Sequence, residues 1–144
     1  MSVATARSAQ VRASSAPAVG NTYGGLTSQH QPVIVDMKAN RRQIVRAVAA
    51  LRLTCTSGAL FEDADPYTRV AVTKKGRFSS TFGPVTQRND DGTTTDFQGH
   101  ISGQLNHAKT QISGTWRFKQ TDHDGTGAVT DTCDSGSVSW KAKQ

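Results

Sequence analysis

Ten aspartates, one glutamate, four histidines and two cysteines are the side chains of this 144-residue sequence best suited to moving protons or holding metal ions. The histidines, His30, His100, His107 and His123, are scattered along the chain. Asp122-His123-Asp124-Gly125-Thr126-Gly127 begins like a calcium loop. Such a loop needs acidic or amide ligands at its first, third and fifth positions and a distal Glu. Only the first two acids are present and no Glu follows, so the segment reads as a hairpin turn. Glu62-Asp63-Ala64-Asp65-Pro66 brings three carboxylates together, enough to bind a cation or to work as an acid/base pair. Its composition and terminal proline read as a surface loop before a strand. No G-x-S-x-G elbow surrounds a serine, and Ser113 falls on the polar side of a strand pattern. No glycine loop has phosphate-binding spacing. The expectation is therefore no catalytic residue, no metal and no cofactor.

The cysteines, Cys55 and Cys133, stand 78 positions apart with no C-x-x-C motif, which disfavours zinc-ribbon and thioredoxin-like chemistry. They suit either one disulfide or two free thiols. The composition, with 31 Ser and Thr and only 19% charged residues, favours the disulfide and an oxidising compartment. The net charge is +6, which fits an anionic surface or polymer as partner. Lys38, Arg41, Arg42, Arg46 and Arg52 form the one local basic cluster, and the first four are the candidate polyanion-binding residues. No Phe, Tyr or Trp lies between Tyr23 and Phe61, so the cluster lacks the stacking rings of a single-stranded nucleic-acid site.

The elements that would position these groups follow a period of two. Residues 1–20 are rich in Ala, Ser and Arg, lack the apolar stretch of a signal peptide, and read as a disordered or processed leader. The domain is expected over 21–144. Val33, Val35 and Met37 share one face of a strand. After an Asn40-Arg41-Arg42 turn, Val45, Ala47, Ala49, Leu51, Leu53 and Cys55 share the inner face of a longer one. Val70 and Val72 mark a strand over 68–73. Phe78, Ser80 and Phe82 follow the Lys74-Lys75-Gly76 turn, and Asn89-Asp90-Asp91-Gly92 is a hairpin signal. Phe97, Gly99, Ile101, Gly103 and Leu105 form one inner face, and Ile112, Gly114, Trp116 and Phe118 the next. A loop over 106–109 joins them. A final strand presents Val138, Trp140 and Ala142.

The fold class is all-β, an antiparallel meander of about eight to nine strands. Inward glycines at 99, 103 and 114 let a sheet coil sharply. They favour a closed or nearly closed barrel over the alternative, a two-sheet sandwich. Phe97, Trp116, Phe118 and Trp140 are candidate cavity-lining residues. Tyr23 and Tyr67 fall at strand ends and are expected to be exposed. No apolar run approaches about 18 residues, so no transmembrane helix is expected.

Thr27-Ser28-Gln29-x-x-Pro32-Val33, Leu53-Thr54-Cys55, Gly76-Arg77-Phe78, Gly99-x-Ile101-Ser102-Gly103 and Cys133-Asp134-Ser135-Gly136-x-Val138-x-Trp140-x-Ala142 occur in that order. In this combination the chain, over roughly residues 23–142, resembles an uncharacterised family of bacterial exported all-β domains. The resemblance implies a secreted domain with the two cysteines as partners, and it implies no activity. The functional expectation is a non-catalytic exported domain, extracellular or at the cell surface, a monomer or small oligomer acting in binding or as a structural module. The alternatives are an apolar-ligand barrel of lipocalin-like architecture and a weak polyanion binder through the basic cluster.

Overall fold

Alternating apolar residues build nine strands in the computed structural model, which describes residues 21–144: β1 (Thr22–Thr27), β2 (Pro32–Met37), β3 (Gln43–Cys55), β4 (Leu60–Ala71), β5 (Arg77–Arg88), β6 (Thr94–Leu105), β7 (Gln111–His123), β8 (Val129–Asp134) and β9 (Val138–Lys143). The expected leader, residues 1–20, lies outside the described residues. Pairing is antiparallel throughout and runs β4-β3-β2-β1-β9-β7-β6-β5. Strand β8 lies off this path and pairs with both β3 and β7. The strands β3, β2, β1, β9, β7 and β8 thereby close a six-stranded barrel, and β4, β5 and β6 lie outside it.

Strand β7 explains how one chain does this. Its Gln111–Trp116 half pairs with β9, its Lys119–His123 half pairs with β8, and its other edge carries β6 along its full length. The inward residues merge into one core centred on Trp116, which packs edge-on against Tyr67 at 5.4 Å and Trp140 at 6.1 Å. Glycine permits the close strand approach this curvature needs. A Cβ on Gly114 would run into the backbone oxygen of Ser102, and one on Gly25 into that of Lys141.

The cysteines oppose each other directly, Cys55 on β3 and Cys133 on β8, and are joined as a disulfide. Beside them Asp131 accepts hydrogen bonds from the Thr56 and Ser57 hydroxyls, each at 2.6 Å, and from the Ser57 backbone N–H at 3.0 Å. These donors hold its carboxyl down at about 2.

Three expectations are corrected. Val45 does not share the inner face, because Met37 pairs with Ile44 and Asp36 with Arg46. Val45 is the extra residue of that bulge and is turned outward, while Ile44 takes the buried place. The acidic segment 62–66 is strand, not loop. Strand β4 ends the hydrogen-bonded order, and Pro66 is tolerated on such an edge, where a missing N–H leaves no central ladder broken. Tyr23 and Tyr67 are buried, at 0% and 5% exposure, because both rings sit on the inward pleat. The Tyr23 hydroxyl donates to the Lys109 carbonyl at 2.6 Å.

Two outcomes follow. Replacing both cysteines by serine should remove roughly 4.5 kcal/mol in the chain-entropy model; a loss under about 1 kcal/mol in urea unfolding would contradict the closing role of the bond. Gly25→Ala should destabilise by about 2 kcal/mol or more, while Gly24→Ala, which meets open space, should leave the same unfolding midpoint nearly unchanged.

Candidate functional site

Strands that follow one another antiparallel run in opposite directions, so alternate connections fall at the same end of the fold. The β2–β3, β4–β5 and β6–β7 turns therefore share one end. Each of those turns is basic. They bring Arg41 and Arg42, Lys74 and Lys75, and His107 and Lys109 around a recess of about 290 Å³ whose lining, among the described residues, holds no carboxylate. Asn40, Thr73, Asn106 and Gln104 add amide and hydroxyl groups.

The turns are held by local chemistry. Arg41 and Lys109 adopt positive φ, 57° and 58°, and the Asn106 side-chain oxygen caps its turn by accepting from the Thr110 and Gln111 N–H groups. Arg41 fastens the end of the barrel. Its Nε donates to the Tyr23 hydroxyl at 3.0 Å, its Nη1 donates to Asn21, and its guanidinium lies over the Tyr23 ring at 5.9 Å. Since Tyr23 also bonds Lys109, one tyrosine links the β2–β3 and β6–β7 turns.

Of the four residues expected to bind a polyanion, Arg41 and Arg42 reach this recess. Arg46 lies on β3, outside the lining, and pairs with Asp36 at 3.1 Å. Lys38 is exposed in the same β2–β3 connection, also outside the lining. Arg52, on the outer face, pairs with Glu62 at 3.2 Å. Sequence reasoning recognised the Lys74-Lys75-Gly76 turn and the 106–109 loop but did not bring them to Arg41 and Arg42. The signal was the parity of the turns: alternate hairpins of a meander share an end.

A second concavity lies where β4 faces the β5–β6 pair. It measures about 400 Å³ and is lined by Pro66, Phe82, Val85, Phe97 and Phe118 together with Asp63 and Asp65. Phe97 and Phe118, two of the four expected cavity residues, stack here at 6.1 Å. Trp116 and Trp140 stand in the packed core behind them. Asp65 is 3% exposed, and its Oδ2 accepts from the Trp116 indole N–H at 2.6 Å. Burial pushes its carboxyl up to about 6, the Trp116 bond opposes that rise, and the Asp63 carboxylate adds to it. Tyr67, on the same face of β4, is likewise pushed well above the ordinary tyrosine range by burial and by Asp65. Its hydroxyl has no hydrogen-bond partner among the described residues.

Other acidic groups, such as Asp91 and Asp124, cap their own turns. Asp124 accepts from the N–H groups of Thr126 and Ala128 and from the Thr126 hydroxyl, as the hairpin reading of that segment expects. Among the described residues, Cys55, Asp131 and Cys133 hold metal-ligating atoms within 4.8 Å of one another, but the disulfide removes both thiolates. Comparison with family models, curated proteins and solved structures finds no match to this chain.

The raised Asp65 carboxyl fixes the sign of a pH effect. The folded state holds this proton more tightly than the unfolded chain, so its stabilising contribution is full below about pH 4 and is lost as pH rises to about 6. The loss is of order 3 kcal/mol, two pKa units at about 1.4 kcal/mol each. Asp65→Asn keeps an acceptor for Trp116 and removes the titration. Urea unfolding of the two proteins should show the variant gaining on the wild type as pH rises from 4 to 7, and a constant difference would contradict the burial of this carboxyl.

Proposed function

We propose that this protein acts by binding, and that its basic end holds a flexible anionic polymer. The observation that carries the reading is the meeting of three basic turns around a recess without a carboxylate. A recess of about 290 Å³ takes one or two phosphate- or sulfate-sized groups, while the rest of the chain would lie across the rim lysines. Arg41, committed to Tyr23 and Asn21, positions the rim. Arg42, Lys74, Lys75 and Lys109, all exposed, supply the contacts. Such binding rests on counterion release, so it is sequence-independent and falls steeply with salt. The disulfide and the Ser/Thr-rich composition support a place outside the reducing cytosol, where wall polymers and other polyanions are candidate partners.

Lys74→Ser/Lys75→Ser/Lys109→Ser should lower the salt at which the protein leaves a polyphosphate column. For about four phosphate contacts the log-log salt slope is near −3, and the variant should lose most of it. Arg52→Ser/Arg88→Ser/Lys119→Ser, which removes the same charge away from the recess, should elute close to wild type. Equal shifts for both variants would mean that net charge alone retains the protein.

A further inference from the structure

The cleft between β4 and the β5–β6 pair carries an inference independent of the basic end. Strands β4 and β5 are the two ends of the hydrogen-bonded path and do not pair with each other. Their opposed edges leave the concavity described above. Its wall on β5 is shaped by an irregularity. Phe82 pairs with Gly99 and Val85 with Phe97, so Gly83 and Pro84 face a single residue of β6. Gly83 has φ of 80°, and a Cβ there would run into the Phe97 backbone oxygen. The bulge leaves Val85 at 56% exposure on the rim of the cleft. Bulges that re-aim side chains are common beside binding sites.

The polar chemistry of the cleft has one sign. Among the described residues Asp65 and Asp63 line it, and no Lys, Arg or His does. One oxygen of Asp65 is held by Trp116, the one protein hydrogen bond this carboxylate accepts among the described residues. A buried carboxylate with a single neutral donor is costly unless something pairs with it. The walls are phenylalanine rings and aliphatic side chains, whose ring faces attract cations. The volume lies at the small end of the range for small-molecule sites.

We infer that this cleft binds a small organic cation, an ammonium group on an apolar body, with Asp65 as its counter-charge and Phe82, Phe97 and Phe118 around the body. An anionic ligand would meet two like charges. A neutral apolar ligand would leave the Asp65 charge uncompensated. The raised carboxyl also makes the site pH-gated, because above about pH 6 Asp65 is ionised and can pair. The titratable groups acting on it are Asp63 and Tyr67 of its own strand. The residues that β5, β6 and β7 present to the cleft and to Asp65, namely Phe82, Val85, Phe97, Trp116 and Phe118, do not titrate.

The test uses hexylammonium and, as the same body with the opposite charge, hexanoate. The indole N–H resonance of Trp116 reports the Asp65 contact directly. Hexylammonium should shift it saturably at pH 7.5 and bind about tenfold or more weaker at pH 4.5, where Asp65 is protonated. Hexanoate should not compete. Asp65→Asn should weaken hexylammonium about tenfold and remove the pH dependence. Val85→Lys, a change at an exposed site that leaves the core intact, should also weaken it by placing a fixed ammonium at the rim. Equal binding of hexanoate, binding indifferent to pH, or no saturable shift at about 10 mM would each overturn the inference. Sedimentation showing that a second copy of the chain fills the cleft would overturn it as well.

Discussion

Strand β8 meets β3 through two residue pairs, Thr54 with Asp134 and Cys55 with Cys133. Among the described residues that is the shortest pairing, and the closed barrel depends on it. A two-pair ladder has few hydrogen bonds to resist opening. The disulfide makes one of those pairs covalent, and the Asp131 cluster with Thr56 and Ser57 ties the β3–β4 turn to β8 just beyond it. Arg117 adds a contact across the neighbouring strand through its two bonds to Asp134. With the seam shut, β3 and β7 are held as the two long staves that carry the outer strands. The cleft between β4 and β5 is therefore spanned by fixed walls.

The same closure gives the molecule its polarity. Turns at one end carry Arg41, Arg42, Lys74, Lys75 and Lys109. The turns at the other end include Asp90, Asp91 and Asp124. Hydrogen bonds from Thr93 to Asp91 and from Thr126 to Asp124 lower both carboxyls and keep them ionised. The basic turns need something to hold like charges together, and Tyr23 provides it. A buried ring with its hydroxyl shared between Arg41 and the Lys109 carbonyl fixes two of the three turns from beneath. Charge gathered by a rigid frame costs less to organise on binding than charge on a loose loop.

The barrel, its strands and the inward aromatics were legible because period-two alternation reports burial directly, as in Phe97–Leu105 and Ile112–Phe118. The disulfide was legible because a Ser/Thr-rich, sparsely charged composition favours an oxidising compartment. Val45 was not, because a bulge shifts register without leaving a mark in local composition. The acidic stretch of β4 was hidden by Pro66 and its carboxylates, since nothing local says that Asp65 turns inward to meet Trp116, 51 residues away. The tyrosines were misjudged for a similar reason: position near a strand end says less than pleat parity. The basic recess joins three turns far apart in sequence, so only the alternation of hairpin ends could have assembled it.

We propose that polyanion binding belongs to one end of the closed barrel. Amide chemical shifts followed during titration with tripolyphosphate test it most directly. Saturable shifts should be confined to residues 40–43, 73–77 and 106–110, with the turns at 89–92 and 124–127 unmoved. Shifts spread evenly over the basic surface, or centred on Arg52, Arg88 and Lys119, would contradict it.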